Sequence, residues 1–267
     1  MKLGIIGTGR MAQAIVGGIL KSQSLPASDI TGTDPNQLSQ KSFLELSSDV
    51  PLNWADSVEA LVADQHAILI AVKPQNIDDI LPLAAQAAES TCIISIAAGV
   101  TLEKLQQHLG ENRPVVRVMP NTPLLVGQGV VAWCGNDRVG VPQQEIISLL
   151  FKHVADVHRV AESEMDAVTA LSGSGPAFFY RIFQYLEEAA IAEGLSPERA
   201  RAFATGTATG AARMLQQTGL EPDELVAQVR SKGGTTEAGL EILEGGELKK
   251  ILVKTISAAA KRSRELG

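Results

Sequence analysis

The chain predicts an α/β protein in two parts, a doubly wound sheet followed by an all-helical region. Three observations carry this. Short β-branched runs alternate with helical patterns up to about residue 160, the strand signal stops near Glu162, and glycines cluster between the first strand and the first helix. The strands are expected at residues 2–6, 30–33, 67–72, 92–96, 115–119, 130–133 and 157–160. Between them the clearest helical stretches are 11–20, 77–88, 102–109 and 143–153, so the sheet should be largely parallel with helices on both faces. After Glu162 every segment reads as helix: 165–171, 176–193, 197–217, 222–229, 237–243 and 247–266. The expected domains are therefore 1–160 and 161–267.

Caps support the helical half. Pro197 and Pro222 stand at first helical positions, and Gly194, Gly219 and the pair Gly245-Gly246 are terminators. In the last helix Leu248, Ile251, Leu252, Thr255, Ile256 and Ala259 form one apolar stripe. In the "TGTATGAA" segment Gly206 and Gly210 lie four apart among alanines and threonines, which permits close backbone approach by another helix of the chain or of a second subunit. Roughly a hundred helical residues this rich in apolar and small side chains exceed what one layer can bury, so an oligomer is expected.

Composition narrows the function classes. A net charge of −7 without a basic patch argues against nucleic acid. No apolar run reaches the roughly 18 residues that span a bilayer, and "MKLGIIGTG" lacks the layout of a signal peptide. Cys92 and Cys134 stand far apart, and His66, His108, His153 and His158 show no ligand spacing, so no metal site is expected. A cytoplasmic globular protein is the expectation.

The segment Gly7-Thr8-Gly9-Arg10-Met11-Ala12 is a G-x-G-x-x-A fingerprint between a strand and a helix, the context that makes it a dinucleotide site of Rossmann type. Gly7 permits the turn, Gly9 admits the pyrophosphate, and the helix start supplies free N–H groups. Asp34, 22 residues beyond Ala12, has two readings: a carboxylate on the adenosine ribose, or a turn residue before Pro35. The nicotinamide should lie at the strand ends marked by Lys73-Pro74, Ala97-Ala98-Gly99 and Pro120-Asn121-Thr122. NADPH and NADH both remain open. "SKGGTTEAG", residues 231–239, also has two readings. It is a pair of helix caps, or an anion-binding concavity of Gly233 and Gly234 N–H groups beside a threonine hydroxyl, backed by a helix starting near Thr236. The turn 172–176 either lines a pocket or permits close packing.

Taken together, "GIIGTGRMAQAI", "AVKPQ", "SIAAGVT", "RVMPNTP", "ALSGSGPAFFY" and "VRSKGGTTEAGLEILE" resemble pyrroline-5-carboxylate reductase over essentially the whole chain. The resemblance implies a helical dimerisation domain, a homodimer that can assemble further, and reduction of 1-pyrroline-5-carboxylate to L-proline by NADPH or NADH, the last step of proline biosynthesis. It implies cofactor contacts at Ile6, Gly7, Thr8, Gly9, Arg10 and Met11 and at Ala71, Val72, Lys73 and Pro74, with Asp34 at the ribose or its phosphate. Ala97 joins this set as a strand-end residue. It implies substrate contacts at Gly234, Thr235 and Thr236, with the Thr236 hydroxyl nearest the ring nitrogen; Ser231 and Gly233 complete the expected substrate loop. Two departures stand out. The asparagine that many members carry before the "AVKP" strand has no clear match between Asn53 and Ser57, and Pro35 stands where many have arginine.

The imine needs a hydride at carbon, a proton at nitrogen and an anchor for its carboxylate. No strong acid is needed in the loop if the imine binds protonated or water supplies the proton, and most of the acceleration would come from holding the two reacting carbons together. Two other classes fit the residues less well. A 3-hydroxyacid dehydrogenase shares the architecture but uses a lysine on the helix after a glycine-rich turn, where this chain has Arg181. A dinucleotide-binding regulator would have no use for Gly233–Thr236.

Overall fold

Eight strands form one sheet in the order β3-β2-β1-β4-β5-β6-β7-β8 in the computed structural model, which describes residues 1–266. They are β1 (Leu3–Ile6), β2 (Ile30–Thr33), β3 (Asn53–Trp54), β4 (Ala67–Ile70), β5 (Cys92–Ser95), β6 (Val115–Pro120), β7 (Gly129–Gly135) and β8 (Ala155–Arg159). All neighbours are parallel except β6 and β7, which pair antiparallel with Val118 opposite Trp133. The crossovers carry α1 (Arg10–Lys21), α2 (Gln37–Leu44), α3 (Val58–Val62), α4 (Ile77–Ala84), α5 (Leu102–Leu109) and α6 (Val141–Phe151).

Period-two alternation assigns each strand residue to one of two cores. Leu3, Ile5, Leu69, Ile94 and Val116 pack with Ile15 and Ile19 of α1, Phe43 of α2 and Phe151 of α6. Ile6, Ile68, Ile70, Ile93 and Val115 face the other way, onto Leu61 of α3, Leu81 of α4 and Leu105 of α5. Burial of each such side chain stabilises the fold by about 1.5–3 kcal/mol, and both faces covered is what a mostly parallel sheet requires.

Several elements differ from the sequence expectation, for identifiable reasons. The helix expected over 77–88 ends at Ala84. Pro82 lies inside its last turn, and the guanidinium of the buried Arg113 donates to the carbonyls of Ala85 (3.1 Å), Ala87 (2.9 Å) and Ala88 (2.8 Å), which ends the helix from outside. The helix expected over 165–171 is α7 (Met165–Val168), followed by a π-helical turn at Thr169–Gly173. There Gly173 lies so close to Met119 that a Cβ would stand 3.0 Å from its Sδ, and Ser172 accepts a hydrogen bond from Asn121 Nδ2 at 3.3 Å.

The chain divides into two compact units, Met1–Ser174 with Ala258–Gly267, and Gly175–Ser257. The second holds α8 (Gly175–Ala192), α9 (Pro197–Thr218), α10 (Pro222–Val229), α11 (Thr235–Gly245) and the first part of α12 (Leu248–Arg264). Within it α8 and α9 pack together, and Arg201 grips Glu187 through Nε at 3.2 Å and Nη2 at 3.0 Å. The Ser196 and Glu221 caps precede Pro197 and Pro222, and Gly219 closes α9 in the left-handed conformation. The last part of α12 belongs to the first unit. The buried Ser263 donates to Asp166 Oδ1 at 2.6 Å, and Asp166 faces Arg117, itself within 3.4 Å of Glu162, whose carboxylate caps Leu102 N of α5. Gly99, at φ +83°, rests against this segment.

Candidate active site

The strand order reverses between β1 and β4, and the carboxyl ends of strands beside such a point form a crevice for ligands. Gly7 makes the turn there at φ +89°, with its N–H donated to Thr33 O at 2.9 Å; a Cβ would stand 2.9 Å from the Ala71 carbonyl. Gly9 is the N-cap of α1 and has open space where a Cβ would project. No side chain caps this helix, which leaves the N–H groups of its first turn to a ligand. Thr8 is fully buried and its Oγ1 has no hydrogen-bond partner among the described residues. An uncapped helix start, an open glycine and an orphaned hydroxyl fit the pyrophosphate of a dinucleotide.

A cleft of about 400 Å³ opens beside this turn. Of the expected cofactor residues, Ile6, Gly7, Gly9, Asp34, Ala71, Val72 and Lys73 line it. Thr8, Arg10, Met11, Pro74 and Ala97 do not; Ala97 is buried at the end of β5, its N–H donating to Ser95 Oγ at 3.3 Å. The cleft also takes Asn36, Ser39, Val58, Asn76 and Ile80, which no motif announced. Asn36 caps α2 and Ser39 lies in its first turn, whereas Val58 and Ile80 come from α3 and α4 and carry no local signal. Asn53 points elsewhere, donating to Ser28 O at 2.7 Å, and Ser57 caps α3. Asp34 accepts Thr8 N–H at 2.7 Å through Oδ2 and Asn36 N–H at 2.8 Å through Oδ1, so it is a turn residue that also faces the cleft.

The other expected residues, Ser231 to Thr236, lie in the second unit between α10 and α11. Here the expected geometry needs correction. The helix starts at Thr235 with Gly234 as N-cap, so no threonine caps it. Gly233 N–H donates to Glu237 Oε2 at 2.7 Å and Gly234 N–H to Ser231 O at 3.0 Å. The two glycine donors expected to hold an anion are thus engaged, because Glu237 folds back on the loop and Arg230 holds it there at 3.6 Å. The free donors move onto the helix: the N–H groups of Thr235, Thr236 and Glu237 have no partner among the described residues. An anion at this helix start meets three N–H groups and the favourable end of the macrodipole.

Both thiols are buried and unpaired; burial pushes Cys92 up to about 12 and Cys134 up to about 11, which leaves them inert.

Residues 162–266 match the family model for pyrroline-5-carboxylate reductase dimerisation, and residues 2–99 match that for coenzyme F420-dependent NADP oxidoreductase. Pyrroline-5-carboxylate reductase of Pseudomonas aeruginosa is 36% identical over 100% of this chain and 97% of its own length, and that of Arabidopsis thaliana is 35% identical over 100% and 95%. The chain belongs to the pyrroline-5-carboxylate reductase family. A crystal structure of the Plasmodium falciparum enzyme with NADP bound superposes with a TM-score of 0.89 at 30% identity, over 100% of this chain and 98% of that one. As a pyrroline-5-carboxylate reductase the chain is an NAD(P)H-dependent oxidoreductase that reduces 1-pyrroline-5-carboxylate to proline. No helix among the described residues is long and apolar enough to cross a membrane.

Proposed function

We propose that this reductase holds its cofactor along Ile6 to Met11, Asp34 and Ala71 to Pro74, near Ala97, and anchors the substrate carboxylate on the 231–236 loop. The three unpartnered N–H groups at the start of α11 carry the reading of the second site. They are donors only, they converge on one point, and they stand beside two hydroxyls. That suits a small carboxylate next to a ring nitrogen. Thr236 Oγ1 orients the nitrogen, and Ser231, Gly233 and Gly234 shape the turn that presents these donors.

The bound cofactor supplies a hydride. What the chain contributes is position. The carboxylate anchor and the Thr236 hydroxyl fix two points of the ring, which leaves the imine carbon one exposed face. As the hydride reaches carbon, the C=N electron pair moves to nitrogen, which takes its proton from water or already carries it as an iminium. The loop holds no acid free for the task, since Glu237 is occupied by Gly233 and Arg230.

The working form is a homodimer with the capacity to assemble further, and 161–267 is its dimerisation and substrate region, 1–160 its dinucleotide region. Supporting this, Ile242 in α11 is 79% exposed, Phe179, Phe203, Ile251 and Val253 are more than half exposed, and nothing described lies within 4 Å of a Cβ placed on Gly206 or Gly210. The two reduced, buried thiols suit the cytoplasm.

The test is oxidation of NADH and NADPH by the purified protein, with and without pyrroline-5-carboxylate, alongside its mass by light scattering. Imine-dependent oxidation by a dimer or larger species is expected. A folded protein that oxidises neither cofactor would sink the reading, and a monomer with full activity would sink the dimer.

A further inference from the structure

We propose that this enzyme prefers NADH over NADPH and that Asp34 is the residue that sets the preference; the inference rests on the cofactor reading of the cleft. Asp34 follows β2 directly and faces the cleft with its carboxylate fixed on both sides, by Thr8 N–H at 2.7 Å and Asn36 N–H at 2.8 Å. The first of these donors belongs to the glycine turn itself, so the carboxylate is tied to the element that positions the pyrophosphate and cannot swing aside. An ionised carboxylate has acceptor sites only, about four of them, and two remain for a partner. A ribose diol offers two O–H donors to match. A 2′-phosphate offers acceptors and a charge of about −1.5 to −2, and meets a carboxylate.

The surroundings do nothing to rescue the phosphate. Asn36 N–H is spent on Asp34, and Leu38 N–H and Ser39 N–H are spent on the Asn36 side chain at 2.9 and 3.2 Å. Among the described residues the donors left at this end are neutral: Gln37 N–H, the Asn36 side-chain amide and the Ser39 hydroxyl. Among the described residues Lys73 is the one cation lining the cleft, and it follows β4. That strand stands two places from β2 in the sheet, roughly 9–10 Å away at the usual strand spacing. Arg10 does not line the cleft, Lys41 of α2 leans to Glu45 at 3.9 Å, and Pro35 occupies the position where a side-chain donor would help.

Two readouts test this, kcat/KM for each cofactor with pyrroline-5-carboxylate and the binding of NAD⁺ and NADP⁺ by titration calorimetry. Wild type should favour the cofactor without the phosphate by at least about tenfold in both, the scale of one misplaced like charge. Asp34→Asn keeps an acceptor for Thr8 N–H and removes the charge. It should weaken NAD⁺, strengthen NADP⁺, and cut the ratio by about tenfold. Asp34→Ser should do the same with less support for the turn. A wild-type ratio at or below one overturns the preference while leaving the reaction standing. An equal loss for both cofactors in Asp34→Asn, with NADP⁺ binding no better, overturns the role of Asp34 and marks it as a turn residue only. Oxidation of neither cofactor overturns both this proposal and the reading beneath it.

Discussion

Gly99→Ala should unsettle the protein from a site with no expected contact to substrate. The residue sits at φ +83°, a region that costs an L side chain roughly 1–2 kcal/mol. Its new Cβ would lie 2.6 Å from Ser263 O and 2.6 Å from Leu266 Cβ. The first is backbone, so relief requires the C-terminal turn to move, at an overpacking cost of about 1–3 kcal/mol. Reduced freedom of the unfolded chain returns about 0.4–1 kcal/mol. The net is a loss of about 1–4.6 kcal/mol, which at about 2–4 °C per kcal/mol lowers Tm by about 2–18 °C. Differential scanning calorimetry reads the shift, and limited trypsinolysis reports whether residues 262–264 have come loose. A Tm within about 2 °C of wild type, with trypsin resistance intact, would show that the segment after α12 does not bear on Gly99 as described.

Thr236→Ala removes one hydroxyl at a helix start; kcat/KM should fall about 2–10-fold, the worth of one neutral hydrogen bond, with Tm unchanged and Thr236→Ser recovering most of the loss. Full activity in the alanine variant would remove Thr236 from the ring nitrogen. Ser263→Ala removes the hydroxyl donor to Asp166 Oδ1, which keeps its ion pair with Arg117 at 3.7 Å, and should lower Tm by a few degrees, about 1.5–3 kcal/mol for a hydrogen bond to a charged group, as read by calorimetry. The cysteines respond to pH: with folded values raised to about 12 and 11 against 9.0 unfolded, they favour the native state fully below about pH 9, and that contribution is lost as pH rises toward 11 and 12. Native protein at pH 8 should give no fast reaction with a thiol reagent and two equivalents once denatured; a fast native equivalent would contradict the burial.

Where a local signal decided an element, the sequence reading and the structure coincide. Pro197 and Pro222 mark helix starts, and α5 and α10 have the bounds expected, 102–109 and 222–229. The two residues of β3 are too few to show a period, and α2 buries only Phe43, so neither announced itself. Long-range partners account for other differences: α4 is ended by Arg113 from the far side of β5, and the π-turn at Thr169–Gly173 answers to Met119 and Asn121. The same holds in the candidate site. Gly7, Gly9 and Asp34 were legible because each does something backbone geometry demands at a fixed spacing. Val58 and Ile80 reach the cleft only through the order of strands. At the 231–236 loop, residue types named the place, but which N–H groups stay free depended on where the Glu237 carboxylate turned.

The first unit opens with β1 and is completed by the end of α12, through Ser263 on Asp166 and Leu266 beside Gly99. During translation its sheet and most of its helices exist before Gly175–Ser257 has been made, a wait of roughly 4–17 s at about 5–20 residues per second. Over that interval the turn at Ala97–Gly99 lacks its backing, and the half-made chain shows a surface that is covered once residues 263–266 have been added. Folding of the first unit is therefore completed only once residues 258–266 have emerged, and a nascent chain stalled before Ala258 should be cut by protease more readily than one carried past Leu266.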